Sequence, residues 1–364
     1  MEKLENYEMY LPSYSIGDRI YDKIPEICLP FGKKAVIIGG KTALSVAEDK
    51  IRKAINQSEI VILDTLWYGG GACTYENVEA LRKNYAYKEC DMVFAVGGGT
   101  AIDTCKCLAL ADGKPIFTFP TIASNCAACT NVAIMYNADG TFLKPHFFLK
   151  PANHAFINTE IICNAPTKYM WAGMGDTYAK YYEADVSSRG VELNHYTAMG
   201  VAASRMCVDP IVKNGAKALE DNKNHKLSHE FEETVLAIVV STGIASIFLT
   251  RDHTPDYNSG LAHAIFYALT SLPQIEREHL HGEVVGFGVL ILLLCDNQAE
   301  EFAKILRFNF SVGLPVCLDD IGVTREEFEK LIPVIPAMSD LNRYPYKVTE
   351  QMLRDALDKL NKIN

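Results

Sequence analysis

The chain has no excess of positive charge, no long unbroken apolar run, and no internal repeat, low-complexity tract or extended linker. Each absence removes a class of function. With 35 Lys and Arg against 45 Asp and Glu, the formal charge of −10 excludes nucleic acid or an anionic membrane as the main partner. The longest apolar run, Val284 to Leu294, is interrupted by Gly286 and Gly288 and is too short to span a bilayer. The opening segment MEKLENYEMYLPSYSIGDRI carries neither a basic stretch nor an apolar core of the kind a secretion signal needs. A soluble, cytoplasmic protein acting on a small-molecule substrate is expected, with no membrane partner.

Disulfide chemistry is also missing its usual format. The eleven cysteines are odd in number and lack the density of a disulfide scaffold. Cys126-x-x-Cys129 has no second Cys-x-x-Cys to complete a four-thiolate metal site. Cys28, Cys105, Cys107, Cys207 and Cys295 stand in apolar surroundings, where a thiol behaves as a small hydrophobe. Reduced, structural thiols follow.

What is present is an ordinary globular balance, 49% apolar and 22% charged over 364 residues, enough for two domains. Up to about residue 160, short β-branched runs alternate with helical patterns. A strand followed by a turn is predicted over 35–40 and further strands at 60–63, 92–96 and 116–120, with helices at 42–57, 77–87 and 101–111 between them. A further strand pair, 132–136 and 142–148, flanks the turn Asn137-Ala138-Asp139-Gly140. Such alternation indicates a parallel sheet covered by helices. Beyond Asn164 the periodicity turns helical, over 167–185, 195–208, 228–250, 260–271, 282–307 and 349–361. The expectation is an α/β domain over 1–163 and a helical domain over 164–364, with the site in a cleft between them.

Two constellations carry chemistry. Val96-Gly97-Gly98-Gly99-Thr100 follows the third strand and opens a helix, so its backbone can approach a phosphate while the helix start presents N–H groups and a favourable dipole. It is not the Gly-x-Gly-x-x-Gly fingerprint, and a plain tight turn stays open as the alternative. Asp103, in the same first turn, is either a ligand-binding carboxylate or an acid facing the helix dipole. The second constellation is Asp176, His263 and His281. One carboxylate oxygen and two imidazole nitrogens would make a three-ligand shell with one open position. Spacing alone does not choose this set over His253 or His279. Lys180, one turn beyond Asp176, cannot join it as a cation.

Taken together, the motifs resemble a known family. Gly97-Gly98-Gly99-x-x-x-Asp103-x-x-Lys106, Pro120-Thr121-Ile122-Ala123-Ser124, Gly175-Asp176, Ala262-His263-Ala264 and His281-Gly282-Glu283-x-Val285-x-Phe287-Gly288 look like the glycerol dehydrogenase branch of the iron-containing alcohol dehydrogenases. The resemblance spans about residues 35–295. It implies a dinucleotide-binding α/β domain, an all-α domain, and a fold shared with dehydroquinate synthase. It makes Asp176, His263 and His281 the metal ligands. The cofactor pyrophosphate falls on Gly97 to Thr100, with Asp103, Thr121, Ser124, Thr130 and Tyr136 lining the cofactor. Iron-using members usually have a histidine where this chain has Lys180, so the three-ligand set is more similar to the zinc-using branch, with Fe2+ as the alternative. A homo-oligomer, a dimer or larger, is expected from the family.

Departures bear on the substrate. Glycerol dehydrogenases typically carry an aspartate after Pro-Thr-Ile-Ala-Ser that contacts substrate hydroxyls, and here that position is Cys126. A second histidine that often follows the first by three residues is Phe266. The segment 121–128 and the run from Asn164-Ala165-Pro166 to Lys180 look similar to hydroxycarboxylate dehydrogenases, which reduce 2-oxo acids. Losing a carboxylate would suit an anionic substrate, and Lys180 could help hold it. After the first strand comes Gly39-Gly40-Lys41 rather than the acid that favours NAD. Lys41 therefore admits NADP, or use of both cofactors. The resemblance implies an NAD(P)-dependent dehydrogenase acting on a 2-hydroxy acid. Glycerol is the alternative, and a dehydroquinate synthase-like lyase or a silent cofactor-binding protein the remoter ones.

Overall fold

The computed structural model describes residues 6–254 and 257–362. The chain divides into two compact units. One is the chain up to Ile122 with Cys126–Ile162, and the other is Ala123–Asn125 with the chain from Cys163 onward. Helices of at least eight residues are numbered in chain order.

The first unit is built on β1 (Tyr14–Gly17), β2 (Lys34–Gly39), β3 (Val61–Trp67), β4 (Met92–Gly97), β5 (Ile116–Pro120) and β8 (His154–Asn158). All pair in parallel, in the order β1-β8-β5-β4-β2-β3. Their central strands are buried along their whole length, as a parallel sheet covered on both faces requires. Helices α1 (Lys41–Ile55), α2 (Tyr75–Arg82) and α3 (Gly99–Ala109) supply the covering layers. Two apolar clusters result, one around Val36, Val93, Leu108 and Ile116, the other around Ile37, Ile51, Phe94 and Phe119. The predicted hairpin is present as antiparallel β6 (Val132–Tyr136) and β7 (Phe142–Phe147). Its turn is closed by the Gly140 amide on the Asn137 carbonyl at 2.9 Å, with Gly140 at φ +89°.

The helix predicted over 77–87 is interrupted. Asn84 accepts from the Ala86 amide at 2.8 Å and so caps a separate short helix, Tyr85–Glu89. Strands β1 and β8 were not among the predicted ones. His154, at the start of β8, explains part of their pairing. Its Nδ1 lies 2.7 Å from Ser13 Oγ and its Nε2 2.9 Å from Ser15 Oγ, so one buried ring clips the strand beside it.

The second unit is helical, with no β-strand among its described residues. It contains α4 (Lys168–Ser187), α5 (His195–Lys223), α6 (His229–Leu236), α7 (Thr242–Leu249), α8 (Leu261–Leu269), α9 (His281–Cys295), α10 (Ala299–Val312) and α11 (Glu350–Leu360). Helix α5 runs on to Lys223 through Pro210, beyond the predicted end at 208; Pro210 is buried, and packing outweighs the lost hydrogen bond. Helices α9 and α10, predicted as one segment, are separated where Asn297 takes a positive φ of 57°. Helices α6 and α7 are joined by a π-turn over Ala237–Ser241, where the Thr242 hydroxyl donates to the Ala237 carbonyl at 2.9 Å. The resulting His229–Leu249 rod has the length and apolarity of a membrane span, but 72% of its most apolar window is buried within the protein. It is a core element.

Burial pushes the His154 imidazole down to about 4, from about 6.5 in an unfolded chain. The unfolded state therefore binds more protons between these values. The stability His154 contributes is complete above pH 6.5 and is lost as pH falls toward 4. Denaturant unfolding of wild type and His154→Gln across pH 4–7 should show a flatter profile for the variant. Parallel profiles would contradict this account.

Candidate metal centre and cofactor cradle

In the first unit, β4 ends at Gly97, whose φ of +151° is one that residues with a side chain rarely adopt. The chain then turns into α3 with Gly98 as N-cap, and the Ile102 amide closes the first turn on the Gly98 carbonyl at 3.1 Å. A Cβ on Gly98 would lie 2.7 Å from Ile122 Cδ1. The Thr121 amide donates to the Gly97 carbonyl at 3.1 Å, so the end of β5 is fastened to the same turn. Gly97, Gly98, Gly99, Thr100 and Thr121 thus form one surface where the opening amides of α3 have no intrahelical acceptor. That surface has the shape and polarity to take a phosphate.

Asp103 and Thr130 face inward instead. Both are buried, and both meet the fully buried Lys106, whose ammonium lies 2.9 Å from Asp103 Oδ1 and 3.3 Å from Thr130 Oγ1. The same ammonium donates to the Ala127 carbonyl at 2.9 Å and to that of Val132. Asp103 Oδ2 accepts from the Ile134 amide at 3.1 Å. Burial holds the Asp103 carboxyl above its usual range, with Lys106 and the Ile134 amide acting the other way. These residues fasten α3 to the loop and strand beside it. Tyr136 packs edge-on against Phe142, and the Lys41 ammonium sits 4.5 Å over the Trp67 ring. Half-buried Cys126 accepts the Cys129 amide at its carbonyl, 2.9 Å away.

The metal-ligand candidates lie in the second unit. Helices α4 and α9 touch where neither has a side chain: a Cβ on Gly175 would fall 2.1 Å from the Gly282 carbonyl oxygen, and one on Gly282 would fall 2.1 Å from that of Ala172. Gly288 meets Ala262 of α8 in the same way, at 2.7 Å. Asp176 and His281 adjoin the first contact and His263 adjoins the second, so three distant segments deliver three ligands to one place. Their ligand atoms all lie within 4.8 Å of one another. His263 Nε2 is 3.6 Å and His281 Nε2 3.4 Å from Asp176 Oδ1. Those separations are long for hydrogen bonds. These two are close to the edge of about 3.4 Å that a tetrahedron of zinc–ligand bonds near 2.0–2.1 Å would have, and the third, between the imidazoles, is within 4.8 Å.

The other histidines are elsewhere. His279 Nδ1 is 2.8 Å from Glu283, and His253 is exposed, at φ +58°. Lys180 is buried and donates to the Asn258 carbonyl. Ser124 belongs to this unit, where the missing Cβ of Gly173 lets its backbone approach α4. Phe266 stands edge-on to His281, ring centres 4.4 Å apart. One residue was not singled out by the sequence. Glu183, fully buried on α4, holds His263 Nδ1 at 2.7 Å, and its only signal is a position two helical turns after Asp176.

Without a cation, burial disfavours charge on this cluster, but the mutual contacts prevail. Asp176 is held well below the usual carboxylate range by His263 and His281, and His263 is raised to about 10 by Glu183 and Asp176. A divalent cation would take the place of those protons. The donor set fits such an ion: it is compact, offers two imidazole nitrogens and a carboxylate, and has an exposed side at His281, whose side chain is 44% accessible.

A parallel α/β unit with a glycine turn open to a phosphate and a helical unit with a cluster able to hold a divalent cation are the parts of a metal-dependent oxidoreductase. A family profile described as "Iron-containing alcohol dehydrogenase" matches residues 12–153. Hydroxycarboxylate dehydrogenase A of Escherichia coli K12 is 30% identical, covering 90% of this chain and 89% of its own. A glycerol dehydrogenase of Thermotoga maritima is 31% identical over 75% of this chain and 74% of its own. The crystal structure of glycerol dehydrogenase from Schizosaccharomyces pombe superposes with a TM-score of 0.85 at 23% identity, covering 99% of this chain and 92% of that one. The chain belongs to the iron-containing alcohol dehydrogenase family.

Gly282→Ala tests the helix contact. The added methyl would force α9 off α4, costing about 1–3 kcal/mol or more in unfolding free energy. Divalent-metal content after reconstitution should fall with it. A variant with wild-type stability and wild-type metal content would show that the contact does not set the site.

Proposed function

We propose that this protein is a zinc-dependent, NAD(P)-linked dehydrogenase that interconverts a small 2-oxo acid and its 2-hydroxy acid. The observation that carries the metal half is the convergence of Asp176, His263 and His281, whose ligand atoms all lie within 4.8 Å of one another, with both imidazole–carboxylate separations close to the edge of a tetrahedral zinc site. When bound, the divalent cation supplies Lewis acidity toward a carbonyl or alcohol oxygen, and the nicotinamide supplies or accepts hydride.

The chain's own residues provide the rest. Gly97 to Thr100 and the opening turn of α3 would take the pyrophosphate, with Thr121 fastening that turn from β5. Lys41, where an acid would favour NAD, leaves room for the extra phosphate of NADP. Its ammonium is positioned by the Trp67 ring. Asp176 and two neutral imidazoles would hold the ion. The choice of zinc over iron is supported by Lys180 in the place of a fourth ligand, its ammonium bonded to the Asn258 carbonyl.

The acid substrate is supported by Cys126, which brings no negative charge where the glycerol enzymes it resembles keep an aspartate. The relative named hydroxycarboxylate dehydrogenase A, matched over nine-tenths of the chain, supports it too. Glycerol stands as the second reading, because relatives named glycerol dehydrogenase match at comparable identity.

Zinc-reconstituted protein should oxidise NADPH or NADH with members of a 2-oxo acid panel faster than it reduces NAD with glycerol. Asp176→Ala should lose both zinc and turnover. Faster glycerol turnover would replace the acid reading with the polyol one. Full activity and zinc in Asp176→Ala would remove the metal assignment.

A further inference from the structure

We infer that Glu183 is the positioning residue of the metal centre: it fixes which nitrogen of His263 faces Asp176, and thereby how tightly the site holds a divalent cation. The inference rests on the metal reading proposed above and extends it to a residue outside the ligand set.

The geometry ties Glu183 to His263 and to the helix that carries it. The Glu183 side chain is fully buried, where an ionised carboxylate persists only if donors surround it. Oε1 accepts two backbone amides, those of Gly260 and His263, each at 2.9 Å. Oε2 lies 2.7 Å from His263 Nδ1. Gly260 and His263 belong to the first turn of α8, whose N-cap, Gly260, has no side chain to cap it. A carboxylate from α4 therefore caps α8, and the dipole of that turn favours its negative charge. Gly260 is what lets it enter: a Cβ there would lie 3.2 Å from Glu183 Cγ and 2.8 Å from the Tyr344 oxygen. That oxygen accepts the next amide, of Leu261, at 2.8 Å.

A carboxylate has only acceptors to offer, so in a neutral His263 the proton resides on Nδ1. Nε2 then carries the lone pair, and Nε2 is the atom 3.6 Å from Asp176. One contact thus sets both the tautomer and the ring orientation that binding requires. His281 is placed differently: its ring is partly exposed and packed edge-on against Phe266. The centre therefore has one ligand fixed by a buried carboxylate and another held by packing.

Glu183→Gln separates this role from a merely structural one. The amide oxygen can keep accepting from Gly260 and His263, but the amide NH2 then faces Nδ1. Donor against donor favours the other tautomer, which points Nε2–H at the cation position. Zinc affinity, measured by competition with a chromogenic chelator, should fall about 10- to 100-fold in E183Q. In zinc-loaded wild type, 15N-histidine NMR should show His263 protonated at Nδ1 and metal-bound at Nε2.

The outcomes are distinguishable. Wild type that takes up no zinc removes the metal reading and this inference with it. Wild type that binds zinc, beside a folded E183Q that binds equally well, removes the inference alone. Should E183Q not fold, the wild-type spectrum decides: zinc on Nδ1, or Nδ1 without a proton, overturns the proposal.

Discussion

Helices α4 and α9 meet through peptide groups rather than side chains, and the second unit's chemistry depends on that contact. Packed helices ordinarily keep their axes about 8–10 Å apart, the distance being set by the side chains at the contact. At Gly175 and Gly282 there are none, and a methyl on either would fall 2.1 Å from a carbonyl oxygen of the other helix. The short carboxylate of Asp176 reaches the imidazole of His281 because each residue sits one position from a glycine in this contact. The gain is geometric, since the glycines contribute no ligand atoms. The cost is intolerance: no larger residue fits either position without moving a helix that carries a proposed ligand.

The same contact shows what a sequence can and cannot convey. Gly175-Asp176 and His281-Gly282 were legible as motifs, and the chemistry of the proposed ligands was legible in their residue types. The reason for the glycines was not, because it lies in a partner helix about a hundred residues away. Glu183 illustrates the limit more sharply. Within Lys180-Tyr181-Tyr182-Glu183 it looks like any polar residue on a helix, yet its donors come from residues 77 and 80 positions later. Only its spacing from Asp176 hinted at a shared face.

The fold was legible where pattern and length agree. Strands β2 to β7 are β-branched or apolar runs bounded by turn residues. By contrast β1 and β8 are four and five residues long, and they are strands because parallel pairing completes the sheet there. Pro210 reads as a helix end, and Asn84 within an unbroken apolar period reads as helix interior. Burial reversed the first reading and a side-chain cap the second.

Lys106 and Glu183 show one principle with opposite charges. Each is a fully buried side chain that meets two backbone groups of another segment, carbonyls of Ala127 and Val132 in one case and amides of Gly260 and His263 in the other. An unsatisfied buried charge is costly enough that the segment must conform to it. Glu183 thereby orients a proposed ligand. Lys106, with Asp103 and Thr130, holds the loop that begins beside Cys126. Residues expected to line a cofactor thus also anchor the chain around them. If that loop is fixed by its own buried cation, the identity of the side chain at 126 can change without reshaping the loop. Exchange of an acid for a thiol would then alter the charge presented to a substrate while leaving the scaffold in place, as the proposed acid substrate requires.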